Sequence, residues 1–275
     1  MDLFQSLSAG QLATLVAVLT VAGLLAGITG GMLGIGGGIV MVPVFFEILH
    51  QAGVSQDVAM HVAVGTSLAA IVFNSLRSAA AHNKRGALDW PILRRYGPFV
   101  FLGAILGAVL AAFIGGAGLK AFFGIVATLF AIYIAFAPLH WVLAPAIPNH
   151  PLSYAFSLLL GCVSALMGIG GGTLGVTAMT LCGVAIHRAV ATGAGLGVLI
   201  GAPAAMGFVL LGLGESDLPP MSLGYVSWGA LLILAPTSIL AAPWGARIAH
   251  ALPVRTLRVV FGFFLAASGL RMLLG

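Results

Sequence analysis

The chain has 275 residues, 61% of them hydrophobic and only 6% charged, with a formal net charge of +5 at pH 7. Soluble domains carry about a quarter charged residues, so this composition excludes a water-dispersed enzyme or binding module. Eleven Lys and Arg against six Asp and Glu lie in short loops without interleaved aromatics, which argues against a nucleic-acid surface.

The first apolar run, 12–33, follows Met1-Asp2-Leu3-Phe4-Gln5, a flank without the basic residues of a signal peptide. It is expected to remain as a membrane segment. Next comes Gly34-Ile35-Gly36-Gly37-Gly38, then a segment at 39–50. At ~1.5 Å per residue that segment is too short to cross ~30 Å of hydrocarbon comfortably. Full spans are predicted at 57–81, 91–115 and 119–139. The stretch Pro138 to Pro151, holding His140, Pro145, Pro148 and His150, reads as a connector. The remaining segments are 152–167, a second glycine loop, a short segment at 173–185, and spans at 187–213, 224–250 and 256–274.

The second loop, Gly168-Ile169-Gly170-Gly171-Gly172, repeats the first letter for letter. Ala63-Val64-Gly65-Thr66 likewise pairs with Ala189-Val190-Ala191-Thr192, and Leu119 to Gly124 with Leu257 to Gly262. Three matches in the same order mark a duplication: a first repeat over 1–138, a connector over 139–151 and a second repeat over 152–275. The expected fold is an all-α polytopic membrane protein. It has two inverted repeats of about five helical segments, whose glycine loops meet near the midplane. With residues 82–95 in the cytoplasm, inversion places Arg77, Lys84, Arg85, Arg94, Arg95, Arg188, Arg247, Arg255 and Arg258 on or near that side. Only Lys120 and Arg271 fall outside. The N-terminus is then outside a plasma membrane.

Paired irregular segments in corresponding halves point to a transporter's binding site. Successive glycines present backbone N–H groups as an anion nest, and the helix start behind each loop adds its positive dipole end. The candidate substrate-binding residues are therefore Gly34, Gly36, Gly37, Gly38, Gly168, Gly170, Gly171, Gly172 and Thr173. Thr66 and Thr192 join them as matched repeat positions, with Ser67, Asn74 and Arg77 on the same predicted helix as Thr66. Thr29 and Thr177 are expected to bond the carbonyl four residues back. Gly103, Gly107, Gly193, Gly197 and Gly201 read as close-packing positions. Glu47, His61 and His187 are the candidate proton carriers. Cys162 and Cys182 lack metal or redox spacing. No catalytic residue, metal or cofactor is expected. The partners are the bilayer, a small anion and, as an option the chain leaves open, a second copy of itself.

The run Gly27-x-x-Gly30-Gly31-x-x-Gly34-Ile35-Gly36-Gly37-Gly38-x-x-x-Val42-Pro43 resembles the opening motif of the TauE/SafE family of sulfite and sulfonate exporters. Ala63-Val64-Gly65-Thr66-Ser67-Leu68, Asn74-Ser75, His82 and Gly86-x-x-Asp89-Trp90 resemble its next signature. The resemblance implies a permease for sulfite, sulfoacetate, taurine-like sulfonates or other small organic anions. An anion channel and a permease for simple carboxylates are the alternatives. The second half departs from the first, with Thr177 where Pro43 stands and Gly193 where Ser67 stands.

Overall fold

The computed structural model describes residues 9–33, 37–136, 142–251 and 254–275. Among them the chain forms α1 (Ala9–Leu33), α2 (Gly38–Gln51), α3 (Gln56–Lys84), α4 (Trp90–Phe113), α5 (Gly116–Phe136), α6 (Pro151–Leu166), α7 (Gly172–Leu181) and α8 (Ile186–Leu211). A small hairpin, β1 (Ser222–Leu223) and β2 (Val226–Ser227), then leads to α9 (Trp228–Ala251) and α10 (Val254–Leu274). The predicted segments recur as helices, with boundaries mostly within a few residues. The hairpin is the departure. Ser222 pairs with Ser227 around Gly224, whose φ of +54° closes the turn, so α9 starts at Trp228 and not at 224.

Six of these helices, α1, α3, α4, α5, α8 and most of α9, are long and apolar enough to cross a bilayer. The α3 helix lies innermost: every residue from Val58 to Leu68 is buried, as expected of a helix apolar on all sides. The opposite pattern marks the periphery, where Phe113, Phe136, Leu240 and Phe263 are exposed.

The helices pair as α1 with α9, α4 with α6, α5 with α10 and α3 with α8. Small residues allow these approaches, since lipid removes the hydrophobic drive and leaves packing to hold helices together. Gly23, Gly27 and Gly31, spaced four apart, lie so close to α9 that a Cβ on any of them would strike Thr237, Ser238 or Ala242. Gly103 and Gly107 meet α6 in the same way at Leu158 and Cys162, the packing role predicted for them.

Two contacts fix the directions of α3 and α8. Near the start of α3, His61 reaches the carbonyl of Ala111 at the end of α4. Near the start of α8, Arg188 reaches Asp89 at the start of α4. The two central helices therefore run oppositely, and the loops after α3 and after α8 lie at opposite ends of the molecule.

Candidate functional site

The two glycine loops meet between α3 and α8. Gly38 lies against the carbonyl of Gly168, so that a Cβ there would collide with it, and Ser67 Oγ donates to the same carbonyl at 2.8 Å. Gly37 and Gly168 take left-handed φ values of +78° and +66°, the conformation glycine adopts without steric cost. Gly170, Gly171, Gly172 and Thr173 are buried beside them, and Gly171 packs on Leu196 of α8. Gly34 and Gly36 lie outside the described residues.

Two buried hydroxyls flank the second loop without a hydrogen-bond partner among the described residues: Ser164 on α6 and Thr173 at the start of α7. An unpaired buried hydroxyl costs about 1–3 kcal/mol, so such groups call for a role. Thr29 and Thr177, by contrast, bond the carbonyls of Leu25 and Thr173, four residues back, as predicted.

Beside the loops a cavity of about 60 Å³ opens among α1, α3, α8 and α9, several times the ~10–15 Å³ that one water needs. Its polar residues are Asn74, Ser75, Ser78 and Ser238, and Gly27, Gly30 and Gly31 form its floor. Asn74 Nδ2 donates to Ser238 Oγ at 2.9 Å, joining α3 to α9. Ser75 abuts Gly197, which in turn lies near the backbone N of Gly171. The cavity is thus lined by the end of α1 that leads to the first loop and by Ser75, one residue removed from the second loop through Gly197. Arg77 is exposed and does not line it.

Thr66 and Thr192 carry a reciprocal pair of bonds. Thr66 Oγ1 accepts from the backbone N–H of Ser227 at 2.9 Å, and Thr192 Oγ1 accepts from that of Asp89 at 3.1 Å. Each acceptor is fully buried. Ser227 and Asp89 in turn cap the first turns of α9 and α4 by accepting from Ala230 and Ile92. The third helix of each half thus holds the start of the fourth helix of the other half. Sequence reasoning missed this link although its signal was present. Gly86-x-x-Asp89-Trp90 recurs as Gly224-x-x-Ser227-Trp228, and both glycines take positive φ. At one end only, the cap is also charged: buried Asp89 pairs with Arg188.

The proton candidates separate. Glu47 pairs with Arg271 at 2.9 Å and accepts from Gln51 at 2.7 Å, away from the loops. His187 is exposed at the start of α8. His61 is buried, with Nδ1 2.6 Å from the Asp57 carbonyl oxygen and Nε2 2.8 Å from that of Ala111. The ring of Tyr225, from the hairpin, lies 4.9 Å away. In that loop, outside the helices, burial and the nearby Glu215 push the Tyr225 phenol above its usual pKa.

A larger cavity of about 280 Å³ lies elsewhere, between α4, α6, α7 and the connector. Its walls are apolar, which does not suit a small oxoanion.

The family described as "Sulfite exporter TauE/SafE" matches residues 19–272. The chain is 32% identical to a probable membrane transporter protein of Haemophilus influenzae, covering 95% of this chain and 99% of that one. Probable membrane transporter proteins of Bacillus subtilis (27% identical, 93% and 96% covered) and Methanocaldococcus jannaschii (29%, 94% and 96%) are also similar end to end. No solved structure matches the chain.

Proposed function

The chain belongs to the sulfite exporter TauE/SafE family of membrane transporters, and on that premise we propose that it is a secondary transporter for small anions of the plasma membrane. Sulfite, sulfonates and related organosulfur anions are its substrates on this reading. The observation that carries the proposal is the meeting of the two glycine loops, Gly38 against Gly168, beside a cavity whose polar wall is Asn74, Ser75, Ser78 and Ser238. Hydroxyl and amide donors bind an oxoanion without neutralising it, which suits a substrate that must also leave. Ser164 and Thr173 add two hydroxyls at the second loop, unpaired among the described residues, where the first loop has Gly30 and Ile39. The two loops therefore meet the anion unequally, the second with hydroxyls at positions where the first has none.

The halves act as inverted repeats, one over residues 1–138 and one over 152–275, with the N-terminus outside. Supporting this are the opposed directions of α3 and α8, the exchanged helix pairs and the reciprocal Thr66 and Thr192 bonds. Transport follows from one half rocking on the other about the loop junction, as in other transporters built from inverted repeats. An inside-negative potential expels an anion by ~2.3 kcal/mol per charge per 100 mV, so export needs no sodium. Of the three proton-carrier candidates His61 alone is buried, on a central helix and with a carbonyl oxygen at each ring nitrogen.

A binding screen tests the substrate. Purified protein is heated with sulfite, sulfoacetate, taurine, thiosulfate or acetate, and its unfolding midpoint is measured. An organosulfur anion should raise the midpoint most. A rise with acetate alone favours the carboxylate permease, and no rise with any of them removes the proposal.

A further inference from the structure

The 280 Å³ cavity has a definite construction. One stripe of α4 (Ile92, Tyr96, Val100) faces one stripe of α6 (Phe156, Leu160), and Met179 of α7 closes the third side. Two of its three wall hydroxyls are engaged: Tyr96 Oη donates to the Pro148 carbonyl at 3.1 Å and Ser157 Oγ to that of Ser153 at 2.8 Å. The third belongs to Ser153, in the first turn of α6. The rim residues Leu152 and Phe156 are 72% and 52% exposed, on a molecule whose exposed apolar surface meets lipid.

Beside the cavity stands the guanidinium of Arg95, while Arg94 shares the Trp90 face of α4, turned away from the Ile92, Tyr96 and Val100 stripe. Arg95 Nε donates to Tyr154 Oη at 3.2 Å, and Tyr154 donates to Asn149 in the connector at 2.7 Å. Arg94 lies 5.9 Å from the Trp90 ring centre. Both arginines are exposed, and among the described residues neither pairs with a carboxylate. Trp90, Tyr96 and Tyr154 supply the amphipathic aromatics that gather at the membrane–water boundary.

We propose that this cavity takes an acyl chain of an anionic phospholipid, whose phosphate is held by Arg95 at the rim. A dry slot with a basic rim matches a ligand that is apolar at one end and anionic at the other. Basic pockets between membrane helices bind such headgroups. Lipid tails elsewhere are equally apolar, so the chain contributes fit and the headgroup contributes selectivity. On the membrane sidedness proposed above, this lipid belongs to the cytoplasmic leaflet.

The test uses the full-length protein in detergent micelles, where neither sidedness nor transport enters. Its failure is therefore separable from failure of the transport reading. Trp141, Trp228 and Trp244 are changed to Phe, leaving Trp90 as reporter. The fluorescence is titrated with phosphatidylglycerol or phosphatidylcholine brominated on one chain. Saturable quenching is expected, at about tenfold lower concentration for phosphatidylglycerol, and Arg95→Gln should remove that preference. Ala178→Phe, or Ser157→Leu if the first variant does not elute as a single species, fills the slot and should abolish saturable quenching. Equal half-saturation by the two lipids overturns the proposal. So does quenching that survives a folded slot-filling variant, because Arg95 would then be gathering lipid at the surface alone.

Discussion

At the residue scale, Asn74 and the threonine pair make different demands. The amide of Asn74 cannot be satisfied on its own helix, and it reaches Ser238 across the cavity. Asn74→Leu keeps the approximate volume and removes both polar atoms. It should lower kcat/KM for the transported anion at least tenfold while leaving membrane expression intact, as measured by proteoliposome flux normalised to reconstituted protein. Ser238→Ala should have a smaller effect, a few-fold, because Ser75 and Ser78 remain. Thr66 and Thr192 are read as framework here. Thr66→Val or Thr192→Val strands the buried N–H of Ser227 or Asp89, at a cost of about 1–3 kcal/mol. Each should lower the thermal unfolding midpoint, with recovery in Thr→Ser. Their equivalence was legible from the repeat, but their partners were not. Which backbone N–H a hydroxyl meets depends on a contact across 161 residues for Thr66, a separation that no local pattern encodes. Ser238 was invisible for the same reason, since its repeat counterpart is the apolar Val100.

At the element scale, apolar run length and the repeated glycine string were enough to locate each helix. The β hairpin escaped because four residues of strand between apolar stretches carry no periodic signal. Glycine meaning also divides by element. In α1 and α4 the glycines spaced by four are contact points, so Gly27→Leu or Gly103→Leu should force the paired helices apart. Overpacking costs typically 1–3 kcal/mol, and here the obstacle is backbone. Reduced yield and an earlier thermal transition are expected, whereas Gly214→Ala, where a Cβ meets nothing within 4 Å, should be silent. The loop glycines carry both meanings at once. Gly171 abuts Leu196 and Gly37 abuts Ala26, so loss of transport on substituting either would report packing as well as anion access. Asn74, whose side chain already faces the cavity, is the cleaner probe.

At the scale of the whole molecule, the proposed inverted repeats are not identical, and their departures can be tested. The cap at one end pairs Asp89 with Arg188, while its counterpart Ser227 is uncharged. Opening and closing should therefore differ between the two faces. Arg188→Gln leaves the buried Asp89 carboxylate without its counter-charge. The cost should fall below the 3–5 kcal/mol of a fully buried pair, since the Arg188 side chain is 61% exposed. A change in transport rate larger than the change in anion binding is expected. Sidedness is checked by placing single cysteines at Asn83 and Ser216 in a background lacking Cys162 and Cys182: an impermeant maleimide added to intact cells should label position 216 only. The central claim is anion transport through the loop junction, and flux tests it most directly. Labelled sulfite efflux from proteoliposomes, under a valinomycin-set potential with and without Na⁺, should be saturable, accelerated by an inside-negative potential, indifferent to Na⁺ and at least tenfold reduced in kcat/KM by Asn74→Leu. Strict Na⁺ dependence, or equal flux from wild type and Asn74→Leu, would contradict it.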